Sequence, residues 1–356
     1  MSRRFVHFTE SFSAGVLSSL VTLTKAQVED GARVEVIFCS REFTPSQTQL
    51  QELFLGVELV NLGRRSVKSL ISMAIQFHAV ISSHGAVKIH AHSSWAGMII
   101  RFTNIFFRYR HVYFTPHSYA HFRSDITNLT SKVYELIERI LIKLSDSTII
   151  ACSKKEFDEA KKLGSRKVIQ GGNYITDPLA KWKINFNSDR EERIFAGVGR
   201  LTPAKNPERF REIALGSPFP DNFRWIGGGN SSDEKKFSEN NLSITGWLSP
   251  EETIFELSKI YCLVITSDWE ALPMIAIEAM SLSRPIVSWN YCGVEEVITN
   301  EVNGFVCTTI EEMISKITLL ARDQGTHSRM SREARKTFEQ KFDAKSLERG
   351  WRHWYD

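Results

Sequence analysis

The chain has 356 residues, of which 42% are hydrophobic and 24% charged, with a formal net charge of +4. This length predicts two domains, each able to bury a core, and the composition excludes a largely disordered chain. No apolar run reaches the ~20 residues of a membrane-spanning helix, and no secretory signal is predicted at the N-terminus. Five scattered cysteines without a C-x-x-C pair favour reduced thiols in a cytosol.

Charge is unevenly shared along the chain. Residues 1–180 contain 22 Lys and Arg against 15 Asp and Glu, a balance of +7, whereas residues 181–356 contain 23 against 26, a balance of −3. The basic first half favours an anionic partner such as a membrane surface or a phosphorylated lipid, with merely solvated basic faces as the alternative. No nucleic-acid partner is expected, because no basic run is interleaved with aromatic residues in a known binding pattern.

The first half alternates strand and helix patterns. Short apolar runs predict strands at 4–8, 34–39, 57–62, 87–91, 112–115, 147–151 and 167–170. Helical spacing predicts helices at 15–23, 66–81 and 131–144. The last of these has one apolar side, formed by Val133, Leu136, Ile137, Ile140, Leu141 and Leu144. Repeated βα units with short polar turns predict a doubly wound parallel sheet.

The pattern lapses between Gln170 and Arg193, and this stretch is predicted to be the interdomain linker. Alternation then restarts, with strands predicted at 193–198, 223–226, 242–245, 261–266, 285–288 and 304–306. The chain therefore predicts two Rossmann-like domains that face a cleft lined by the turns after the strands. The predicted domains are residues 1–178 and 179–340, followed by a helical segment, 341–356.

The most informative stretch is VITSDWEALPMIAIEAM, residues 264–280. Glu270 lies in the turn before a predicted helix, Pro273 in its first turn, and Glu278 inside it. A helix N-terminus binds phosphate, because its unpaired N–H groups and its dipole both favour an anion. The two carboxylates could then accept hydrogen bonds from sugar or ribose hydroxyls. A surface helix with two solvated acids is the alternative from this stretch alone.

Other turns of the second half add cations and glycines. In GVGRLTPAK, Arg200 can bind a pyrophosphate in fork geometry and Lys205 can bind it as a point charge. Glycines in this turn and in GGGN, residues 227–230, permit close approach of the backbone to a nucleotide. Trp247 or Leu248 could edge the base, although a packed tryptophan is an equal alternative.

Three turns of the first half are candidate sites. The turn TESFSAG, ending at Gly15, lets backbone amides approach a phosphate or an acceptor, or is simply a tight turn. His92 in IHAHSSWAG could bind substrate hydroxyls or be a structural histidine. His117 in TPHS follows a strand, so its imidazole could donate to a sugar hydroxyl or assist charge development. Although His90/His92 and His117/His121 have ligand-like spacing, no metal site is expected.

Taken in order along nearly the whole chain, these motifs resemble those of family 4 glycosyltransferases of the GT-B fold. The resemblance rests on an E-x7-E element, Glu270 to Glu278, and on a G-R-L-x-x-x-K loop, Gly199 to Lys205. Arg284-Pro285 and the glycine–acid turn at Gly293 follow as in the family. IHAHSSWAG and TPHSYA are similar to segments of bacterial members that build cell-surface polysaccharides. The fold implies that the C-terminal helix crosses back to the first domain.

The resemblance implies a retaining transfer, without metal or cofactor, from a nucleotide-diphosphate sugar to a lipid-linked or polysaccharide acceptor. O-antigen, capsule or exopolysaccharide synthesis is the expected setting, in the cytoplasm or peripherally on the inner face of the plasma membrane. The implied catalytic residues are His117, Glu270, Arg200 and Lys205. The implied donor-binding residues are Gly15, Gly199, Gly228, Trp247, Leu248, Ala271, Leu272, Met274, Ile275 and Glu278. Of the two glutamates, Glu278 would hold the ribose hydroxyls and Glu270 the donor sugar.

Three departures from the family pattern stand out, and none removes a charged group. Ala271 stands where glycine is common, and Ser283 stands where the end of the helix usually has glycine. Cys292-Gly293 replaces a double glycine. The alternative functions are a nucleotide-sugar epimerase of the same fold and a non-catalytic GT-B subunit. An NAD oxidoreductase is more distant, because the first turn lacks G-x-G-x-x-G.

Overall fold

The computed structural model describes residues 3–41, 44–83, 87–123, 125–179, 193–238, 242–291 and 293–356. The chain divides into two compact units: unit 1 ends at Ile175 and regains Ala344–Asp356, and unit 2 is Thr176–Asp343. The predicted boundaries, 178/179 and 340/341, lie three residues from these divisions. Residues 180–192 of the predicted linker, and Cys292 beside Gly293, lie outside the described residues.

Unit 1 is built on a seven-stranded parallel sheet in the order β3-β2-β1-β4-β5-β6-β7. Its strands are β1 Arg4–Thr9, β2 Arg33–Ser40, β3 Val57–Arg64, β4 Val87–His92, β5 Val112–Thr115, β6 Ser147–Ala151 and β7 Val168–Gln170. Its helices are α1 Ala14–Glu29, α2 Gln47–Leu53, α3 Val67–Ser82, α4 Ser94–Phe107, α5 Asn128–Leu144 and α6 Lys154–Lys162. The strand order reverses between β1 and β4, so the turns after these strands border a crevice.

Unit 2 is built on a six-stranded parallel sheet in the order β10-β9-β8-β11-β12-β13. Its strands are β8 Phe195–Val198, β9 Phe223–Ile226, β10 Ser243–Ile244, β11 Cys262–Ile265, β12 Ile286–Trp289 and β13 Gly304–Cys307. Its helices are α7 Pro207–Gly216, α8 Ser231–Ser238, α9 Pro250–Lys259, α10 Met274–Ser281, α11 Ile310–Arg322 and α12 Gln324–Lys341. Here the order reverses between β8 and β11, which brings together the turns that carry Lys205 and Glu270.

The C-terminal segment belongs to unit 1. It forms a short helix, α13 Ala344–Gly350, and a 3-10 turn, Trp351–Trp354, instead of the single helix predicted within 341–356. The ring of Phe5 on β1 lies 5.6 Å from that of Trp351 and 4.9 Å from that of Tyr355, measured between centroids. Because these side chains are buried, the last residues complete a core of unit 1.

Helix α5 turns its apolar side toward solvent, whereas its sequence pattern predicts that this side faces the core. An amphipathic helix normally turns that side to the core, but of the six predicted residues only Leu141 is buried. The core side also holds Glu138, whose carboxylate lies 2.9 Å from the fully buried guanidinium of Arg101 on α4. An ion pair thus occupies a place where the pattern predicts only hydrocarbon. None of the described helices is both long and apolar enough for a membrane span.

Ser283 gives a testable consequence of the departure noted above. Helix α10 ends in a Schellman motif, in which Arg284 N–H donates to Ala279 O at 2.9 Å and Ser283 N–H to Met280 O at 3.0 Å. Ser283 has φ +56°, a conformation that favours glycine. We expect Ser283→Gly to raise the free energy of unfolding of unit 2 by roughly 0.5–1 kcal/mol, measured by urea denaturation. The control Ser283→Ala keeps the Cβ atom, and an equal gain in both variants would contradict this account.

Candidate functional site

Two turns at the carboxyl ends of β8 and β11 are bonded to each other. Lys205 Nζ lies 2.5 Å from Glu270 Oε1, and Ser267 Oγ donates to the same oxygen at 2.7 Å. The backbones are joined as well, because Asp268 N–H donates to Ala204 O at 3.0 Å. The loop with the lysine and the loop with the first glutamate, separate in the sequence, therefore form one structure.

Three side chains that the motif analysis did not assign hold this structure. Asn206, at φ +47°, caps α7 by accepting from Arg209 N–H at 3.0 Å, and its amide donates to the Asp268 carboxylate at 3.2 Å. Arg209 Nη1 lies 2.8 Å from Asp268 Oδ1. Asn206 followed by Pro207 is a cap-and-first-turn signature, which predicts the start of a helix here. The partnership with Asp268 links residues 62 positions apart and has no local signal.

Glu278 lies inside α10 and carries a carboxylate without a hydrogen-bond partner among the described residues. Burial raises the pKa of Glu278 to about 7, and the charge of Lys205 opposes that rise. The side chain keeps some contact with solvent. Lys205 therefore interacts with both glutamates of the E-x7-E element, directly with Glu270 and through space with Glu278.

The start of α10 lies one residue later than predicted. Pro273 is the N-cap, with φ −68° and ψ 114°, and not a residue of the first turn. Ala276 N–H makes the first helical bond, to Pro273 O at 3.1 Å. The N–H groups of Met274 and Ile275 therefore precede the helical ladder, as the first amides of any helix do. Ile275, Lys205 and Ser267 line a small cavity beside them.

The glycine turns pack against protein instead of presenting an open backbone. A Cβ atom on Gly227 would lie 2.3 Å from Gly199 O, so the two turns meet backbone to backbone. A Cβ atom on Gly228 would lie 2.3 Å from a carboxylate oxygen of Glu234 and 3.1 Å from Trp247. The approach of a nucleotide to Gly228 stays a prediction, since these distances describe only the side on which a Cβ atom would lie. Glu234, which sequence reasoning missed, occupies the space that this glycine leaves.

The other predicted site residues differ in how exposed they are. Arg200 is exposed and makes no hydrogen bond or ion pair with the described residues. Trp247 is 39% exposed and donates from Nε1 to Gly229 O at 3.2 Å, while Leu248 is half-buried. Leu272 and Met274 are buried and Ala271 is half-buried. Gly15 belongs to unit 1, in the first turn of α1.

A row of histidines runs through unit 1 to His117. His7 Nδ1 lies 3.0 Å from His92 Nε2, His92 Nδ1 lies 3.1 Å from His117 Nε2, and His117 Nδ1 lies 3.5 Å from Cys152 Sγ. Gln27 Oε1 ends the row, 2.9 Å from His7 Nε2. Because the Gln27 oxygen accepts, His7 donates to Gln27, His92 donates to His7 and His117 donates to His92. The thiol of Cys152 then donates to His117 Nδ1. Burial lowers the pKa of His7 and of His117 to about 4, so both rings are neutral at pH 7.

This row changes the interpretation of the histidine motifs. Both ring nitrogens of His92 have protein partners, so the structural alternative for His92 is the one that the structure shows. Both nitrogens of His117 are also engaged, and donation to a sugar hydroxyl would require it to give up one contact. His90 bonds Tyr355 Oη at 2.7 Å and Thr115 Oγ1 at 2.8 Å.

His7, His90 and His92 have ligand atoms within 4.8 Å of one another, a spacing that could suit a metal ion. Every ring nitrogen of the three is already paired with a protein group. The cluster is therefore satisfied by hydrogen bonds and does not need a cation to complete it. Metal independence of the chain stays a prediction.

Two buried glutamates position the turns of unit 1, and the motif analysis missed both. Glu156 Oε1 accepts from Ser118 N–H at 2.5 Å and Oε2 from Cys152 N–H at 2.9 Å. It thereby fixes the turn in which His117 has φ +49°. Glu10 Oε2 accepts from Ala96 N–H at 2.9 Å, at the start of α4. The S-x-x-E signature at residues 153–156 indicates a helix cap, but not the bond to Ser118.

Comparison with known proteins covers both units. The sequence-family model described as "Glycosyltransferase Family 4" matches residues 13–172, and the model "Glycosyl transferases group 1" matches residues 180–337. The chain belongs to glycosyltransferase family 4. The resemblance that the motifs suggested is thereby confirmed.

Two curated relatives of this family 4 glycosyltransferase cover most of its length. A protein of the cps region of Klebsiella pneumoniae, itself uncharacterized, is 26% identical over 85% of this chain and 85% of its own. An Escherichia coli enzyme is 26% identical over 68% of this chain and 66% of its own. That enzyme is a UDP-Gal:alpha-D-GlcNAc-diphosphoundecaprenol alpha-1,3-galactosyltransferase.

Solved structures confirm the fold of the family 4 glycosyltransferase. HepE of Anabaena, solved in complex with UDP-glucose, matches with a TM-score of 0.77 and 15% identity. The match covers 98% of each chain. The predicted fold class, GT-B with two Rossmann-like units, is therefore correct.

The buried carboxylate of this family 4 glycosyltransferase should make the stability of unit 2 depend on pH. Burial raises the pKa of Glu278 from 4.5 to about 7, so the folded state binds this proton more tightly than the unfolded state does. The stabilisation from this group is complete below pH 4.5 and is lost as the pH rises through 7. We expect Glu278→Gln to remove this loss, so that urea denaturation gives a smaller fall between pH 5 and 8 than in the wild type. Parallel pH profiles would contradict the raised pKa.

Proposed function

We propose that this glycosyltransferase is a retaining enzyme that moves a sugar from a nucleotide-diphosphate sugar to a lipid-linked or polysaccharide acceptor of a cell-surface glycan. The observation that carries the proposal is the position of Lys205. Its ammonium group contacts Glu270 at 2.5 Å and acts electrostatically on Glu278, and Lys205 lines one cavity together with Ile275 of the first turn of α10. A cation that acts on two carboxylates and shares a cavity with a helix N-terminus suits a diphosphate flanked by two sugars.

The donor would bind by exchanging partners with Lys205. A diphosphate oxygen accepts from the ammonium group and from the amides of Met274 and Ile275, which frees Glu270 to accept from hydroxyls of the transferred sugar. Glu278 accepts from the ribose hydroxyls, since its carboxylate has no protein partner among the described residues. Arg200, exposed and unpaired there, adds a second cation for the phosphates. These cations and amides supply the positive charge that a metal ion would otherwise supply.

The chemical step proposed is the departure of the nucleoside diphosphate with attack of the acceptor hydroxyl on the same face of the sugar. As the sugar–phosphate bond breaks, negative charge grows on the leaving phosphate, where Lys205 stabilises it. The leaving oxygen then takes the proton of the acceptor hydroxyl. Neither glutamate is assigned as the base, because Glu270 holds the hydroxyls of the transferred sugar and Glu278 holds those of the ribose. We assign no proton transfer to His117, because both of its ring nitrogens have hydrogen-bond partners within unit 1.

The relatives support the acceptor class and the setting. The Klebsiella relative is a protein of a cps region, and the Escherichia relative acts on a sugar linked to diphosphoundecaprenol. We therefore infer that this chain also takes a lipid-linked or polymeric glycan. Peripheral contact with an anionic membrane surface, in the cytoplasm, belongs to the same proposal.

A panel of nucleotide sugars tests the function. We expect release of nucleoside diphosphate only when an acceptor from a membrane extract is present, and a product anomer that matches the donor by NMR. Isomerisation of the donor without acceptor would identify an epimerase instead. Donor binding without turnover under all conditions would identify a non-catalytic subunit. An inverted anomer would contradict retention alone.

A further inference from the structure

Three neighbouring helices of unit 1 expose an unusual share of apolar side chains. Eighteen large hydrophobic side chains are exposed among the described residues, and twelve of them lie on α3, α4 and α5. Single exposed apolar residues are ordinary, whereas a concentration on adjacent elements marks an interaction surface. We call the exposed apolar side chains of these three helices the apolar face.

Helix α5 contributes a continuous stripe to the apolar face. Five of its side chains, spaced by three or four residues, are 45–74% exposed: Leu129, Val133, Leu136, Ile140 and Leu144. This spacing places them along one side of the helix. The opposite side is fixed to the core by Glu138, so the stripe cannot turn inward without breaking the buried ion pair to Arg101.

Helices α3 and α4 extend the apolar face beside α5. Their most exposed apolar side chains, 56–74% exposed, are Val67, Ile71, Ile75, Phe102 and Phe106. Arg101 of α4 bonds Glu138 of α5 at 2.9 Å, which joins these two helices. The ring of Phe107 on α4 stacks on that of His78 on α3, with centroids 4.6 Å apart. The three helices therefore present one surface.

Exposed cations accompany the apolar face. Lys68 lies on α3 and Arg108 directly follows α4, and both are exposed. On α5, Lys132 and Lys143 are exposed beside the stripe. The two acids of that helix, Glu135 and Glu138, are each paired with an arginine. Apolar side chains rimmed by lysine and arginine suit a surface that offers both hydrocarbon and anionic groups.

We propose that the apolar face docks this protein on an anionic phospholipid membrane. The docking rests on the proposed function, since a lipid-linked acceptor is held at a membrane. A second copy of the chain is the less favourable occupant, because it would bring the same positive charges against those already there. A phospholipid surface supplies phosphate groups for the lysines and acyl chains for the stripe of α5.

Sedimentation with vesicles of phosphatidylcholine, with and without phosphatidylglycerol, tests the docking. We expect binding to the anionic vesicles only, weakened by added salt. The variants Leu136→Gln/Ile140→Gln and Lys132→Glu/Lys143→Glu should each lower the partition coefficient by about tenfold or more. Matched controls in unit 2 are Leu215→Gln/Phe255→Gln, at sites 51% and 50% exposed, and Lys336→Glu, at a side chain 57% exposed. The controls should bind like the wild type.

Absence of binding by the wild type, or equal binding by all variants, overturns the docking. So does a dimer in sedimentation velocity that Leu136→Gln/Ile140→Gln dissociates without affecting vesicle binding, since that result assigns the face to a second copy. Titration of the protein with nucleotide sugars in the absence of vesicles measures donor binding by itself. This measurement distinguishes a failure of the docking from a failure of the proposed function. Donor binding without vesicle binding overturns the docking alone. Vesicle binding by a protein that binds no nucleotide sugar overturns the proposed function alone.

Discussion

Lys205→Ala is expected to lower kcat/KM for glycosyl transfer by roughly 10²–10³-fold, the usual effect of removing one preorganised group that stabilises developing charge. The loss should fall mainly on kcat, because charge on the leaving phosphate grows as the bond breaks. Glu270→Gln should show a comparable loss, since a neutral amide oxygen is a weaker acceptor for the hydroxyls of the transferred sugar than a carboxylate is. Steady-state kinetics with the donor found in the nucleotide-sugar panel measures both.

Lys259 of the same unit provides a control for Lys205→Ala. Lys259 contacts Glu256 at 2.5 Å, at the end of α9, and is as close to its partner as Lys205 is to Glu270. Lys259→Ala removes an ion pair of equal length that belongs to none of the site motifs, and activity should stay at the wild-type level. In a double-mutant cycle, Lys205→Ala and Glu270→Gln should combine to much less than the product of their separate effects. Equal activity of Lys205→Ala and Lys259→Ala would refute the role of Lys205.

Glu138→Ala is expected to destabilise unit 1 by about 3–5 kcal/mol, because it leaves the charge of Arg101 buried without a counter-ion. Arg101 has no exposed surface, its Nε donates to Gly97 O at 3.0 Å, and its guanidinium lies 3.8 Å from the centroid of the Phe114 ring. The guanidinium therefore cannot reach water without disrupting α4. Urea denaturation followed by circular dichroism measures the loss.

Two further variants separate the buried charge from the helix itself. Glu135→Ala breaks the exposed pair with Arg139 on the same helix and should cost less than about 1 kcal/mol. The double variant Arg101→Met/Glu138→Leu replaces the pair by hydrocarbon and should recover most of the stability lost in Glu138→Ala. A double variant as unstable as Glu138→Ala would show that the pair contributes by its own attraction.

The sequence was most informative where the physical cause is local. Apolar runs predicted the strands of both sheets, because a strand covered on both faces has no polar side. Ser249-Pro250 is a cap-and-first-turn signature, and the structure has that cap at the start of α9 with a reciprocal bond to Glu252. The E-x7-E and G-R-L-x-x-x-K motifs indicated the family, which both family models confirm.

The parts that sequence reasoning missed depend on contacts between distant residues. The periodicity of α5 says that one side is apolar, but only the packing of Arg101 against Glu138 decides which side faces the core. The sequence gives no sign that the Glu234 carboxylate occupies the space where a Cβ atom of Gly228 would lie. The histidine row requires β1, β4 and the turn after β5 to be neighbours, so no local pattern contains it. Such pairings arise from tertiary structure, beyond the reach of motif spacing.

A crystal structure of the protein soaked with a nucleotide-diphosphate sugar tests the central claim most directly. We predict ribose hydroxyls within hydrogen-bond distance of Glu278. The diphosphate oxygens should accept from Lys205 and from the amides of Met274 and Ile275. Glu270 should accept from hydroxyls of the transferred sugar. A nucleotide bound elsewhere, or a Lys205–Glu270 pair left intact with the diphosphate away from it, would contradict the proposed donor site.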